Sequence, residues 1–180
     1  SFCREEGVRW HLLGNGTNVL APDEGFHGLI LRLQPGDAPR FDGCRAICGA
    51  GQGLAAVAKE SVAHGLMGME ALSGIPGTVG GAIAMNAGAY GSEIGSLLSE
   101  VTVLSGGRIE TVPVRSEDFG YRKSPFCSPK TIVLSAILNL QVDDGNAAAR
   151  MAEFSRRRRE KQPLASPSAG SVFRRPAGYY

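Results

Sequence analysis

An α+β fold is the class the sequence predicts. Short β-branched runs succeed one another along the chain, only two segments carry helical periodicity, and no internal repeat appears. VRWHLL (8–13) reads as a strand entering the glycine run GNGTNVL (14–20), and GLILRL (28–33) as a second strand leaving it. CRAICGAG (44–51) is a strand feeding a turn. GLAAVAKESVAHGL (53–66) is helical, with apolar residues at 54, 57, 58 and 62 and Gly65 as its stop. Residues 71–91 are rich in glycine and alanine and show no clear period. EVTVLSGGRIETVPV (100–114) is a hairpin signal, two β-branched runs around Ser-Gly-Gly. TIVLSAILNLQV (131–142) reads as one long strand, and NAAARMAEFSRRRREK (146–161) as a helix closed by Gln-Pro.

The 180 residues suffice for one sizeable domain or two small ones, and 43% apolar with 20% charged residues is ordinary for a globular chain. Glycine is not ordinary: 25 of 180 residues is about twice the usual share of roughly 7%. The glycines cluster without a period, which signals tight turns and close backbone approach. A net charge of 19 − 17 = +2 does not by itself suggest a nucleic-acid binder. No apolar run approaches the ~20 residues of a membrane span, and the start does not read as a signal peptide. Cys3, Cys44, Cys48 and Cys127 form no CxxC pair, so neither a zinc site nor a redox pair is signalled. Reduced thiols and a cytoplasmic location are the expectation. The opening Ser-Phe-Cys and the closing SVFRRPAGYY read as the ends of a piece of a longer protein.

GNGTNVL is a run that either holds a phosphate on its backbone or turns a corner. A Rossmann fingerprint needs a third glycine and a following helix. Here Val19 takes the sixth position and LAPDEG follows, so that reading fails. Gly49-Ala-Gly-Gln-Gly lies between a strand and a helix, but Leu54 fills the place of the third glycine, and it reads as a structural turn. SGIPGTVGG (73–81) presents backbone N–H groups unobstructed by side chains, with Ser73 and Thr78 as extra hydroxyl donors. An anion nest and a closely packed glycine turn both fit it.

Five motifs in order then carry a resemblance: Gly14–Leu20, Ser73–Ala82, Asn86-Ala-Gly-Ala-Tyr-Gly91, Phe119-Gly-Tyr-Arg-Lys-Ser124, and Lys161-Gln-Pro followed by Ser168-Ala-Gly-Ser-Val-Phe173. Together they resemble the UDP-N-acetylenolpyruvoylglucosamine reductase family, in its shorter type, over essentially the whole chain. The resemblance implies an FAD-binding domain of the vanillyl-alcohol-oxidase type followed by the start of a separate α+β substrate-binding domain. The implied boundaries are 1–33 and 34–145 for the two FAD-binding pieces and 146–180 for the substrate arm. It implies non-covalent FAD, NADPH as co-substrate and a UDP-sugar substrate, with no nucleic acid, membrane or metal involved. Gly14, Asn15, Gly16, Thr17, Asn18, Val19 and Leu20 would cradle the FAD pyrophosphate together with Ser73, Gly74, Ile75, Pro76, Gly77, Thr78, Val79, Gly80, Gly81 and Ala82. Asn86, Ala87 and Gly88 would lie near the flavin. Arg122 would hold the substrate carboxylate beside Tyr121, Ser171 would protonate carbon, and Arg157 and Lys161 would bind the substrate's diphosphate. The family's catalytic glutamate would fall beyond residue 180, and its first FAD-binding segment before Ser1.

The chemistry suits these residue types. Reducing an enolpyruvyl ether pushes negative charge onto its carboxylate, which a fixed, bidentate guanidinium stabilises. A hydroxyl can then deliver the proton if cations or a relay support it. Two other functions remain on the sequence alone: an FAD-dependent alcohol or sugar oxidase of the same fold, and a nucleotide- or RNA-binding module built on Arg156–Arg159. Four consecutive helical arginines point around most of the circumference, which suits a solvated helix end better than an RNA stripe. His11, His27 and His64 show no ligand spacing, Asp23-Glu24 and Asp143-Asp144 read as solvated turns, and Cys48 as a core thiol.

Overall fold

Apolar residues recur with strand spacing through 98–105 and 131–139, and these two runs pair at the heart of the protein. The structure, a computed structural model, describes residues 2–163 together with 166, 168, 170, 172, 173, 176 and 178. In chain order the elements are α1 (Phe2–Glu5), β1 (Trp10–Leu12), β2 (Leu29–Leu31), β3 (Arg40–Asp42), β4 (Arg45–Gly49), α2 (Leu54–Ala63), β5 (Leu66–Met67), α3 (Val79–Met85) and β6 (Gly88–Ala89). There follow β7 (Ser92–Glu93), β8 (Leu98–Ser105), β9 (Arg108–Pro113), β10 (Thr131–Asn139), β11 (Gln141–Val142) and α4 (Ala147–Lys161), with 3-10 turns at Glu70–Leu72, Ile94–Ser96 and Ser116–Asp118. Strand order β3-β4-β10-β8-β9 makes a five-stranded sheet whose neighbours are all antiparallel, while β1 and β2 form a separate parallel pair. The α+β expectation holds.

The sheet buries one face under helices. Ala46, Cys48, Val101, Val103, Val133, Ala136 and Leu138 meet Leu54, Val57 and Ala58 of α2, Met69, Leu72, and Val79 and Ile83 of α3. Each fully buried Leu, Ile or Val side chain contributes roughly 1.5–3 kcal/mol. α2 ends where Gly65 takes φ +70, a left-handed position that glycine adopts at least cost.

Two expectations change. The segment 71–91 is not irregular throughout: it contains α3, whose start is capped by Thr78 Oγ1 accepting the Gly81 amide at 3.2 Å. The run 131–142 is not one strand. It breaks at Leu140, and β11 leaves the sheet to pair with β5. Leu140 N–H bonds the Cys44 carbonyl at 2.7 Å, so the backbone is satisfied while it changes partners.

Candidate functional site

The two glycine loops meet. Thr17 Oγ1 donates to the Pro76 carbonyl at 3.1 Å across 59 residues. A β-carbon on Gly14 would lie 2.8 Å from Thr78 Oγ1, and one on Gly77, at φ +132, would lie 3.3 Å from Thr17 Oγ1. Glycine is therefore required where the loops touch. The amides of Gly14, Asn15, Gly16, Thr17 and Asn18, with those of Gly74 and Gly77, find no acceptor among the described residues. Residues 15–18 are solvent-exposed, so these N–H groups are open to water or to an anion. Beyond it the Val19 and Leu20 side chains are largely solvent-exposed.

A polar cleft opens beside this junction, lined by Gly14, Asn15, Arg32, Gln34, Gly51, Gly53 and Thr78. It adjoins an apolar cleft lined by Leu12, Leu13, Ala50, Ala84, Phe126 and Val133. Amides for a diphosphate beside an apolar wall for rings is the donor set a flavin dinucleotide needs. Arg32 and Gly51 belong to this cleft although the sequence reading did not assign them there. Gly51 is also a packing position, since a β-carbon would come within 2.1 Å of the Gln34 carbonyl oxygen. Its alternating glycines were the available signal. Gly80 packs behind the loop, where a β-carbon would lie 2.9 Å from the Ala50 methyl.

Asn86 and Arg122 are joined through the backbone. Asn86 is fully buried in the left-handed region at φ 43. Its side-chain amide donates to Glu93 Oε2 at 2.7 Å and to the Gly120 carbonyl at 2.9 Å, and its Oδ1 accepts the Gly95 amide at 3.0 Å. It thus clamps the β6–β7 hairpin, the turn that follows and the turn that carries Arg122. That last turn closes by reciprocal Gly120–Lys123 backbone bonds of 3.1 and 2.9 Å, leaving Arg122 at φ 54. A non-glycine residue held there stores roughly 1–3 kcal/mol of strain. The half-buried Arg122 guanidinium sits 5.2 Å over the Tyr121 ring and pairs with no carboxylate among the described residues.

α4 is fastened at its start. Asp143 Oδ1 accepts the amides of Gly145, Asn146 and Ala147 at 3.0, 3.2 and 2.9 Å, filling the capping role that the Asn146 side chain does not. Arg150 then binds the buried Glu70 at 2.8 Å and Asp144 at 2.8 Å, and its hydrogen bond holds the Asp144 carboxyl below the ordinary range. Farther along, Arg156 pairs with Glu153 and Glu160, Arg157 with Glu153, and Arg159 donates to Ser155. The two arginines on Glu153 depress its carboxyl to about 2. Arg157 is thereby tied along its own helix, and Lys161 is exposed at the last turn. Ser171 lies outside the described residues. Cys48 is buried, and desolvation pushes its thiol to about 12, too high for nucleophilic work.

A five-stranded sheet under helices, with a separate strand pair whose glycine loop meets a second glycine loop beside a polar cleft, fits a dinucleotide-binding class of α+β protein. The chain belongs to the FAD-binding domain family, whose profile matches residues 1–112. Its relatives include the UDP-N-acetylenolpyruvoylglucosamine reductases of Limosilactobacillus fermentum, at 40% identity over 99% of this chain, and of Caldanaerobacter subterraneus, at 41% over 100%. The chain spans 60% of the length of each of these relatives. The crystal structure of the Thermus caldophilus reductase superposes with a TM-score of 0.81 at 34% identity, covering 99% of this chain and 66% of that one. An alkyldihydroxyacetonephosphate synthase, at 15% identity and a TM-score of 0.55 over 78% of this chain and 30% of that one, shares the fold alone. The family resemblance drawn from the five motifs and the expectation of an FAD-binding fold both stand.

Proposed function

We propose that this chain forms the flavin-binding frame and part of the substrate arm of an NADPH-dependent reductase. Its reaction converts the enolpyruvyl group of UDP-N-acetylglucosamine enolpyruvate to UDP-N-acetylmuramate, a cytoplasmic step toward peptidoglycan. The observation that carries the reading is the junction of the glycine loops, where Thr17 bonds Pro76 beside a polar cleft lined by Gly14, Asn15 and Thr78. Relatives of that name over the whole chain support it.

When bound, FAD supplies the hydride chemistry that couples NADPH to the enolpyruvyl double bond. The amides of 14–18 and of Gly74 and Gly77 bind and orient its diphosphate. The Arg122 guanidinium takes the substrate carboxylate and stabilises the negative charge that grows there, while Tyr121 stacks beneath it. Ser171 holds the proton that carbon receives. Nicotinamide and substrate use the same cleft in turn. This reading includes no nucleic acid, and it is supported by the pairing of Arg156 and Arg157 with Glu153 and Glu160 on their own helix. Among the described residues no helix is long and apolar enough to cross a membrane.

The test is a visible absorption spectrum of the full-length protein before and after unfolding. Flavin bands released on unfolding as free FAD, and bleached by NADPH beforehand, are the expected result. Bleaching separates the reductase from an oxidase of the same fold. A colourless protein that takes up no added FAD sinks the reading.

A further inference from the structure

The resemblance places Asn86 near the flavin, yet its side chain is fully buried and both hydrogens of its amide are taken by the protein. The amide has one orientation only. Turned over, it would set its oxygen against the Glu93 carboxylate and the Gly120 carbonyl, and its nitrogen against the Gly95 N–H. Glu93 is half-buried and forms no ion pair among the described residues. Two glycines make room for this group. A β-carbon on Gly88 would lie 2.7 Å from Glu93 Cγ, and one on Gly95 would lie 2.8 Å from Asn86 Oδ1 and 2.7 Å from the Phe119 ring. The segment that turns at Arg122 is therefore held twice, by its Phe119 ring against Gly95 and by its Gly120 carbonyl on Asn86.

A guanidinium on a long, flexible stem gains most from a two-pronged contact when its backbone is already fixed, because less freedom is lost on binding. We propose that the Asn86–Glu93 pair is the positioning device for Arg122. Glu93 fixes the Asn86 amide, Asn86 holds the Gly120 carbonyl, and the closed Gly120–Lys123 turn passes that constraint to Arg122 at φ 54. The inference rests on the reading above, in which Arg122 takes the substrate carboxylate. It moves Asn86 from the cofactor side of the site to the substrate side, and it adds Glu93, which no motif role covered.

The experiment titrates two ligands into the full-length protein by calorimetry: UDP-N-acetylmuramate, which carries a carboxylate, and UDP-N-acetylglucosamine, which does not. The ratio of the two affinities reads the carboxylate contact and cancels any loss of folded protein. Wild type should prefer the carboxylate ligand by about 10- to 100-fold, and Arg122→Met should abolish the preference. Asn86→Gly, which accepts the left-handed backbone without the side chain, should bring the ratio close to that of Arg122→Met. Glu93→Ala should lower the ratio too, and Glu93→Gln, which keeps an acceptor for the Asn86 amide, should recover part of it. The Glu93 variants carry the same test where Asn86→Gly is too unstable to titrate. A wild-type ratio in Asn86→Gly or in Glu93→Ala overturns the proposal; where both affinities fall together, the pair is a structural prop. A wild type without the preference sinks the Arg122 assignment and the proposal with it. The ratio is read from binding alone, so a protein that takes up no FAD fails the flavoprotein reading while the role of Asn86 is still decided.

Discussion

Asn86 does two things at once, of which a glycine could do only the first and an alanine neither. It accepts a left-handed backbone at φ 43, and it uses both amide hydrogens and Oδ1 inside the protein. Replacing it with alanine leaves the buried Gly95 amide without its acceptor, takes one of two donors from the Gly120 carbonyl, which keeps the Lys123 amide, and puts a residue without asparagine's tolerance in the left-handed region. We expect Asn86→Ala to destabilise the full-length protein by about 2–4 kcal/mol. Asn86→Gly should recover roughly 1 kcal/mol of that, because only the backbone part is relieved. Urea unfolding of both variants measures this, and equal losses would remove the strain from the account. The motif Asn86-Ala-Gly was legible in the sequence, but its clamp on the Arg122 turn was not, since the partners are 7, 9 and 34 residues away. Arg122 shows the same limit. Its residue type was readable, whereas its strained φ arises from the closed turn around it.

At the scale of elements, legibility followed local pattern. The β8–β9 hairpin and α4 announce themselves through two β-branched runs around Ser-Gly-Gly and through a long alanine-to-arginine stretch. α3 does not, because a seven-residue helix with two glycines is held by its Thr78 cap and its packing on Ala50. The end of β10 was hidden because what changes at Leu140 is the partner strand, while β propensity continues. On α4 the stripe 147, 151, 154, 158 was present in the sequence, and it puts Arg158 on the inward side and Arg157 about 100° around the helix on the exposed side. The outer face of the same helix gives a pH prediction. The folded-state carboxyl of Glu153 lies at about 2 against an ordinary 4.5, because Arg156 and Arg157 bond it. The resulting stabilisation is present above the ordinary value and is lost as pH falls toward 2. The melting temperature of wild type should therefore exceed that of Glu153→Gln near neutrality, and the gap should close in acid and shrink in molar salt. A gap independent of pH would show that Glu153 acts by some means other than its charge.

At the scale of the whole molecule, the β1–β2 pair and the five-stranded sheet share no strand. They touch where Thr17 reaches Pro76 and where Gly51 lies against Gln34. A ligand bridging that junction binds the folded arrangement only, so it stabilises by mass action, about 2.7 kcal/mol when present at 100 times its dissociation constant. On the function proposed above, the unpaired amides of the two glycine loops would let the diphosphate of FAD span the two pieces. Full-length apo-protein should gain several degrees of melting temperature with excess FAD, and the gain should grow with the logarithm of FAD concentration. Riboflavin, which carries the ring system without the diphosphate, should give little at the same concentration. The two ligands compared in one thermal series separate a cradle built for phosphates from a pocket built for rings. Equal shifts from both would place the binding energy in the apolar cleft around Leu13 and Phe126 and leave the glycine junction with a packing role only.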